Sequence, residues 1–332
     1  MAGRRIMRTG ALTGVVAGVL AFALAGCQTG QAGGGDAGPG NDGGASEPGG
    51  DVPEIGGDGS TLVLQVHSAG GFVPWGYDFA SAPSLSVYAD GTAIVHGPTT
   101  LEYPGKALPN LQVVYLPDGA LEGIVEAARD ADLLVADAEA PDYGMPNVTD
   151  LPTTRVTLVV GGETFEHAAY ALGFGPGESG TVSGAAGAAD EGDDAGEGDG
   201  GMLGAGDSGL TDEQSAARVA LAQFVQRANE LAGATGAEES YAISALGVLA
   251  MPAPAEAAAE GFEADVVAWP VPGVALADAG ECALVSGDDA RALLTTLADA
   301  NALTQFEQDG VTYQAWFRPL LPHETGCADL VA

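Results

Sequence analysis

The chain has 332 residues, of which 46% are hydrophobic, so it holds enough apolar material for one or two folded cores. It carries 46 acidic residues against 10 Lys and Arg, a formal net charge of −36. Because nucleic-acid affinity comes largely from Lys and Arg on phosphates, this charge excludes nucleic acid as a partner. The folded part should also be repelled by anionic lipid headgroups.

The N-terminus begins with a basic head and continues as an apolar run. Arg4, Arg5 and Arg8 are followed by residues 11–25, which carry no charge, and no acidic residue precedes Cys27. This run is shorter than the ~20 residues of a membrane-spanning helix and typical of a signal peptide. The pattern therefore predicts an export signal over residues 1–26.

The end of this signal resembles a known processing motif. Residues Leu24-Ala25-Gly26-Cys27 resemble the lipobox of bacterial lipoproteins. The resemblance implies cleavage between Gly26 and Cys27 and a diacylglycerol on the Cys27 sulfur. The lipid would anchor the protein to the extracytoplasmic face of the cell membrane. An ordinary secretory peptide is the alternative, and Arg4-Arg5 leaves a twin-arginine route open beside the general one.

Two low-complexity segments set the predicted domain organisation. Residues 27–60, rich in Gly, Asp, Pro and Ser, read as a lipidated, disordered tether, and residues 174–210 as an acidic linker. The carboxylates of the linker lack the ligand order of an EF-hand loop, so no metal site is predicted. The segments leave an N-terminal α+β region at 61–173 and a C-terminal one at 211–332.

The N-terminal region shows strand and helix periods in turn. Alternating apolar residues predict a strand from Thr61, and Asp90-Gly91 predicts a hairpin turn. A short strand LQVVYL precedes ALEGIVEAARDADLLV, whose apolar residues fall on one helical face. A second hairpin is predicted to turn at Gly161-Gly162.

Aromatic residues gather in one loop of this region. The stretch GGFVPWGYDFASAP places Phe72, Trp75, Tyr77 and Phe79 between glycines and prolines. Half-exposed aromatics on a loop offer a large contact area at little entropic cost, so we interpret them as a possible partner-binding loop. The alternative is that they cover one end of the N-terminal sheet.

The C-terminal region repeats the order of helix and then hairpin. Thr211-Asp212-Glu213-Gln214 is typical of a capping box and starts a helix predicted to run to about Leu231. Strands are predicted in SYAISALGVLAMP, in ADVVAWPV and from Cys282 to Val285. A helix capped at Ser286 and a hairpin turning at Asp309-Gly310 complete the region. The order favours antiparallel α+β over a doubly wound parallel sheet.

The three cysteines have two expected roles, lipid attachment and a disulfide bond. With Cys27 carrying the lipid, Cys282 and Cys327 remain as a disulfide pair in an oxidising compartment. A bond that closes the loop between Cys282 and Cys327 stabilises a fold by roughly 4 kcal/mol in the chain-entropy treatment. Two free buried thiols are the alternative.

No familiar catalytic motif occurs. The tetrad Gly206-Asp207-Ser208-Gly209 matches the nucleophile region of chymotrypsin-like serine proteases, but it continues as Leu210-Thr211 and lies in the acidic linker. None of the four histidines has the sequence context of that family, and His67 and His96 fall on predicted strands as half-buried residues rather than ligands. No cofactor and no metal are predicted.

The main hypothesis is therefore a lipid-anchored extracytoplasmic protein with a non-catalytic binding or structural ectodomain. Its partners would be the membrane, through the Cys27 lipid, and a cell-envelope protein or small molecule. One alternative is an extracytoplasmic enzyme with an unfamiliar site built, for example, from Asp78, Asp90 and His96. Another is a transporter-associated solute-binding protein, although such proteins usually have two lobes with parallel sheets.

Overall fold

Two β-sheets, one of seven strands and one of five, organise the part of the chain that the structure describes. The computed structural model describes residues 57–136, 139–174, 208–233, 238–253 and 264–330. The strands, numbered in chain order, are β1 (Leu62–Ala69), β2 (Leu85–Tyr88), β3 (Thr92–His96), β4 (Leu111–Tyr115), β5 (Thr153–Val160), β6 (Glu163–Tyr170), β7 (Glu238–Ser240), β8 (Ala245–Pro252), β9 (Val266–Ala268), β10 (Ala283–Ser286), β11 (Gln305–Gln308) and β12 (Val311–Pro319). The α-helices are α1 (Tyr77–Ala80), α2 (Ala120–Asp130), α3 (Asp212–Ala232) and α4 (Gly287–Leu297).

Several predictions fall on residues outside these ranges. The signal peptide over 1–26, the cleavage position at Gly26 and the lipidated Cys27 lie outside the described residues. So do positions 27–56 of the tether and 175–207 of the linker.

The seven-stranded sheet has the order β6-β5-β1-β2-β3-β4-β7, and each neighbouring pair is antiparallel. The predicted hairpins form at Asp90-Gly91 and Gly161-Gly162, where Gly91 has a φ of 81° and Gly162 a φ of 81°. Helices α2 and α3 cover one face of this sheet. Their apolar residues are those that helical spacing selects, including Ile124 and Leu221, which are fully buried.

Helix α3 and strand β7 join this sheet although they follow the predicted linker. Thr211 caps α3 as predicted, because its hydroxyl accepts a hydrogen bond from the Gln214 amide while the Gln214 side chain accepts one from the Thr211 amide. Strand β7 pairs with β4, with Val113 opposite Glu239. The predicted C-terminal region, 211–332, thus supplies an edge strand of the first sheet and a helix that packs on it.

The five-stranded sheet has the order β10-β8-β12-β11-β9. Helix α4 and a 3₁₀ turn at Leu276–Asp278 pack against one face, with Leu293 and Phe317 in the core between them. The β11–β12 hairpin turns at Asp309-Gly310 as predicted. The pairing of β9 with β11 is parallel, so this sheet is mixed rather than wholly antiparallel. Ser286 is the N-cap residue of α4 but makes no side-chain capping bond.

The predicted disulfide lies at one edge of the second sheet. Cys282, just before β10, is bonded to Cys327 in the C-terminal 3₁₀ turn, with a Cα–Cα distance of 5.8 Å. The bond ties the C-terminal segment to the edge strand β10.

The two sheets meet through the C-terminal segment and through the β3–β4 loop. Leu321 packs with Tyr88, Ile94 and Leu111 on the face of the first sheet opposite α2 and α3. The β3–β4 loop reaches the end of α4, where the Ala107 amide donates to the Ala300 carbonyl at 3.3 Å. Leu321, which follows β12, thus joins an apolar cluster on the first sheet. Ala107, from the β3–β4 loop, packs against the apolar core of the second sheet.

These elements confirm the predicted α+β fold class, including two units of a helix followed by a hairpin. The first is α2 followed by β5–β6, and the second is α4 followed by β11–β12. Among the described helices, none combines the length and apolarity that crossing a membrane requires.

Candidate functional site

The aromatic loop, residues 70–81, connects β1 to β2 and contains α1. Three of its four predicted binding residues project into solvent: the exposed fractions are 89% for Phe72, 49% for Trp75 and 58% for Tyr77. Phe79 does not. A Cβ atom on Gly247 of β8 would lie 3.1 Å from the Phe79 Cζ atom, so that ring lies directly on the second sheet.

Trp75 is braced by an aromatic residue from the other sheet. Its ring meets Trp316 of β12 edge to face, with centroids 4.8 Å apart and planes at 83°. Gly76 lies so close beneath Trp316 that a Cβ atom there would come within 2.4 Å of the indole. Its φ of 82° also belongs to the region that favours glycine. The loop is therefore seated on β12, and its role is not confined to the end of its own sheet.

Hydrogen bonds donated by main-chain amides hold the shape of the aromatic loop. The Gly70 amide donates to the Asp78 carboxylate at 3.0 Å, which closes the loop across eight residues. The Tyr77 amide donates to the Pro74 carbonyl at 3.1 Å. A loop that is already ordered loses less conformational entropy when a partner binds, so its exposed rings are prepared for contact.

A buried ion pair lies further along the same strand. Arg318, two residues after Trp316, pairs with Glu324 at 2.8 Å, and each side chain is only 4% exposed. The second Glu324 oxygen accepts a hydrogen bond from the Leu321 amide at 2.6 Å. Burial raises the pKa of Glu324 above its ordinary value, with Arg318 opposing the shift. This pair closes the turn that carries the C-terminal segment back over the first sheet.

His323 links this turn to the first sheet. The side-chain amide nitrogen of Gln65 donates to the His323 Nε2 atom at 3.1 Å, so Nδ1 carries the proton and donates to the Tyr88 hydroxyl oxygen at 3.1 Å. We name Gln65, Tyr88, Arg318, His323 and Glu324 the inter-sheet polar cluster. The hydrogen bond from Gln65 requires a neutral His323.

Two imidazoles beside Arg318 are strongly perturbed. Burial, followed by the positive charges of Arg318 and Arg155, lowers the pKa of His67 to about 4. Burial and Arg318 also lower the pKa of His323 to about 4. The His67 Nε2 atom is buried and has no hydrogen-bond partner in the described part of the chain. Both residues are therefore neutral at ordinary pH, and His323 links the two sheets in that form.

The residues of the alternative enzymatic site are not brought together. Asp90 lies in the turn before β3 and His96 at the opposite end of that strand, a separation of roughly 13–20 Å along the extended chain. Each has a local structural partner: Asp90 accepts from the Thr92 amide at 3.0 Å, and the His96 Nε2 atom contacts the Ala82 carbonyl at 3.2 Å. Asp78 closes the aromatic loop. Within the described ranges, no three His, Cys, Asp or Glu side chains converge as metal ligands.

Sequence reasoning missed a concave surface beside the edge strand β6. A cleft of about 490 Å³ opens between this strand and residues 140–145, with Gln214 of α3 at its rim. At its base the Tyr143 hydroxyl donates to His167 Nδ1 at 2.9 Å, and His167 Nε2 donates to the Leu133 carbonyl at 2.9 Å. No motif marks this cleft, because its walls come from segments far apart in the chain.

Arg218 of α3 supports the cleft from beneath. The residue is fully buried, and its guanidinium donates to the carbonyls of Tyr170 at 2.9 Å and Ala171 at 2.7 Å. It also reaches the Tyr143 carbonyl at 3.4 Å. The only sequence signal for this role is a cation on the apolar side of an amphipathic helix, one residue after Ala217.

Comparisons with known proteins add no assignment. No family model matches the sequence, and no curated protein or solved structure shows significant similarity to it.

Proposed function

We propose that this chain is a lipoprotein anchored by Cys27 to the extracytoplasmic face of the cell membrane, whose ectodomain binds a cell-envelope protein through the aromatic loop without catalysing a reaction. The observation that carries the binding role is the pair Phe72 and Trp75, exposed by 89% and 49% on a loop seated against Trp316. Large aromatic side chains held in this way are the usual anchors of protein interfaces.

The geometry of the loop favours a protein partner over a small molecule. Small ligands bind in concave pockets that bury most of their surface. The cleft of about 490 Å³ beside β6 includes none of the aromatic-loop residues in its lining. Phe72, Trp75 and Tyr77 instead project outward, as anchors that enter pockets on a partner do.

The chemistry of the ends supports the extracytoplasmic location. The Cys282–Cys327 bond is a type of cross-link that persists in oxidising compartments. The lipobox-like residues Leu24-Ala25-Gly26-Cys27 supply the anchor in this proposal. The strong negative charge keeps the ectodomain away from anionic headgroups and leaves the aromatic loop free to meet a protein.

The binding role is tested by site-specific photo-crosslinking in intact cells. A photoreactive phenylalanine analogue is placed at Phe72, and the matched control carries it at Leu101, a fully exposed apolar residue of the β3–β4 loop. We expect a discrete adduct from position 72 that falls about tenfold with Trp75→Ala and no adduct from position 101. Equal adducts from both positions, or an adduct indifferent to Trp75→Ala, would contradict the proposal.

The anchor is tested separately by fractionation. The unaltered protein should sediment with membranes and dissolve only in detergent, because its acyl chains partition into the bilayer. Cys27→Ser should appear in the soluble extracytoplasmic fraction, with a mass that lacks the lipid. Sedimentation of both proteins in the same way would overturn the anchoring proposal without touching the binding role.

A further inference from the structure

The edge strand β6 presents a row of main-chain hydrogen-bonding groups that no other described strand pairs with. In an antiparallel pair, residues that exchange hydrogen bonds alternate with residues that do not. The two-residue turn pairs Val160 with Glu163, and the Ala171 amide donates to the Pro152 carbonyl at 2.9 Å. The main-chain amides and carbonyls of the odd-numbered residues of β6 therefore point toward β5. Those of the even-numbered residues point away from the sheet.

Most of these outward groups have no partner among the residues that the structure describes. Tyr170 is occupied, because its carbonyl accepts from Arg218. Thr164, Glu166 and Ala168 are exposed, and within the described part of the chain no hydrogen bond reaches their outward amides and carbonyls. An unpaired strand edge of this kind is a template for the addition of another strand.

The cleft beside β6 lies along this edge. Residues 166–168 form one wall, and residues 140–145 and Gln214 form the other. Its volume of about 490 Å³ lies within the range of roughly 300–1,000 Å³ found for ligand sites. The hydrogen bond between Tyr143 and His167 joins the two walls, and Met145 on the rim is 71% exposed.

Among the described residues that line the cleft, the two charged ones are both acidic. Asp142 accepts hydrogen bonds from the Gln214 side chain at 2.8 Å and the Gly144 amide at 2.9 Å, and these bonds hold the pKa of its carboxyl below the ordinary value. Glu166 is the second acid, and no Lys or Arg is among the described residues that line the cleft. A second copy of this chain, with a formal charge of −36, would be repelled from the same edge.

We propose that this edge cleft binds an extended, basic peptide segment of a partner protein, which adds to β6 as an eighth strand. The outward amides and carbonyls of Glu166 and Ala168 supply the main-chain hydrogen bonds, and the two carboxylates select Lys or Arg on the incoming strand. This surface shares no residue with the aromatic loop, so the inference does not depend on the proposed function.

The test uses the full chain and a labelled probe, acetyl-Lys-Val-Lys-Val-Lys-Val-amide, at about 0.15 M salt to screen unspecific attraction. Binding is followed by fluorescence anisotropy, and amide exchange of the protein by mass spectrometry. We expect exchange at Glu166 and Ala168 to slow on binding. A probe with alternate amides N-methylated, which removes the main-chain donors, should lose binding.

Two matched variants separate the edge cleft from general charge. Glu166→Lys and Glu163→Lys change the net charge equally on the same strand. The main-chain groups of Glu163 point toward β5, however, and this residue does not line the cleft. We expect Glu166→Lys to weaken binding about fivefold and Glu163→Lys less than about twofold. Ala168→Pro removes an outward amide while keeping the ladder to β5, and should weaken binding about tenfold with an unchanged melting temperature.

Three results would overturn the inference. Equal weakening by Glu166→Lys and Glu163→Lys would show unspecific charge attraction. Undiminished binding of the N-methylated probe would exclude strand addition. A concentration-dependent dimer in sedimentation that Ala168→Pro abolishes would identify a second copy of the chain as the occupant.

Discussion

The seven-stranded sheet and the five-stranded sheet each pack one face against helices, but the two coverings differ. The first is covered by two helices, α2 and α3, of 11 and 21 residues. The second is covered by the 11-residue α4 and a 3₁₀ turn, and it is cross-linked by the Cys282–Cys327 bond. A smaller core buries less surface, so a covalent constraint on the unfolded chain supplies part of its stability.

The contact between the two sheets, here called the joint, differs from both cores, because the inter-sheet polar cluster lies there beside the apolar cluster around Leu321. Arg318, Glu324 and His323 meet there next to Leu321. Such contacts are directional, and breaking one leaves another group buried without its partner. The comparison therefore predicts that different changes destabilise the first sheet, the second sheet and the joint.

The largest effect should come from breaking the joint. Glu324→Gln leaves the Arg318 guanidinium buried without its counter-charge, and we expect a loss of about 3–5 kcal/mol in the free energy of unfolding. The measurement is urea denaturation, with the exposed Glu281→Gln as the control of equal charge. A loss below about 1 kcal/mol would show that water reaches the pair and screens it.

Removing the disulfide should separate the two sheets. The double variant Cys282→Ser and Cys327→Ser should lose about 2–4 kcal/mol of stability. Hydrogen exchange should accelerate in β8 and β10 while β1 and β5 keep their protection, because the bond is attached beside β10, an edge strand of the second sheet. Reductant should reproduce the result on the unaltered chain. Uniform acceleration in both sheets would instead show that they unfold as one unit.

Acid should weaken the joint before it affects the two apolar cores. The pKa values of His67 and His323, lowered to about 4 from 6.5, mean that the unfolded chain binds protons that the folded chain does not. Their contribution is complete above pH 6.5 and is lost as the pH falls toward 4, and the raised pKa of Glu324 acts in the opposite direction. Allowing for solvent screening, we expect a net loss of about 1–2 kcal/mol.

The pH effect is measured as the difference in unfolding free energy between pH 8 and pH 5. His323→Gln should reduce this difference by about half, because the amide of glutamine does not take up a proton. A variant that lowers stability equally at both pH values would show that His323 contributes packing alone.

The smallest effect should fall on the first sheet. Thr211→Ala removes the hydroxyl that accepts from the Gln214 amide at 3.2 Å, and we expect a loss of about 1 kcal/mol. Thr211→Ser keeps the hydroxyl and serves as the control. Exchange should accelerate in the first turn of α3, and acceleration in α4 as well would show coupling across the joint.

The sequence predicted the parts of this fold that local interactions decide. The turns at Asp90-Gly91 and Asp309-Gly310 form because glycine accepts a positive φ at little cost, and Gly310 has a φ of 80°. The capping box at Thr211 and the buried stripe of α2 follow in the same way from side chains only three or four residues apart.

The candidate sites were predicted less completely. The exposure of Phe72, Trp75 and Tyr77 agrees with their place in a loop rich in glycine and proline. Their support by Trp316 comes from a strand more than two hundred residues later, and no local pattern encodes it. The edge cleft and Arg218 were missed for the same reason, because β6, residues 140–145 and α3 meet only after the chain has folded.

Within the described chain, residue order alone determined the α+β class, the hairpins and the pairing of two cysteines, because helix and strand periods, turn chemistry and cysteine number are properties of short segments. The tertiary structure alone decided that α3 and β7 complete the first sheet and that β9 runs parallel to β11. It also decided which imidazoles lie beside Arg318. These outcomes depend on burial and on contacts between distant segments, whose free energies arise only when the whole chain packs.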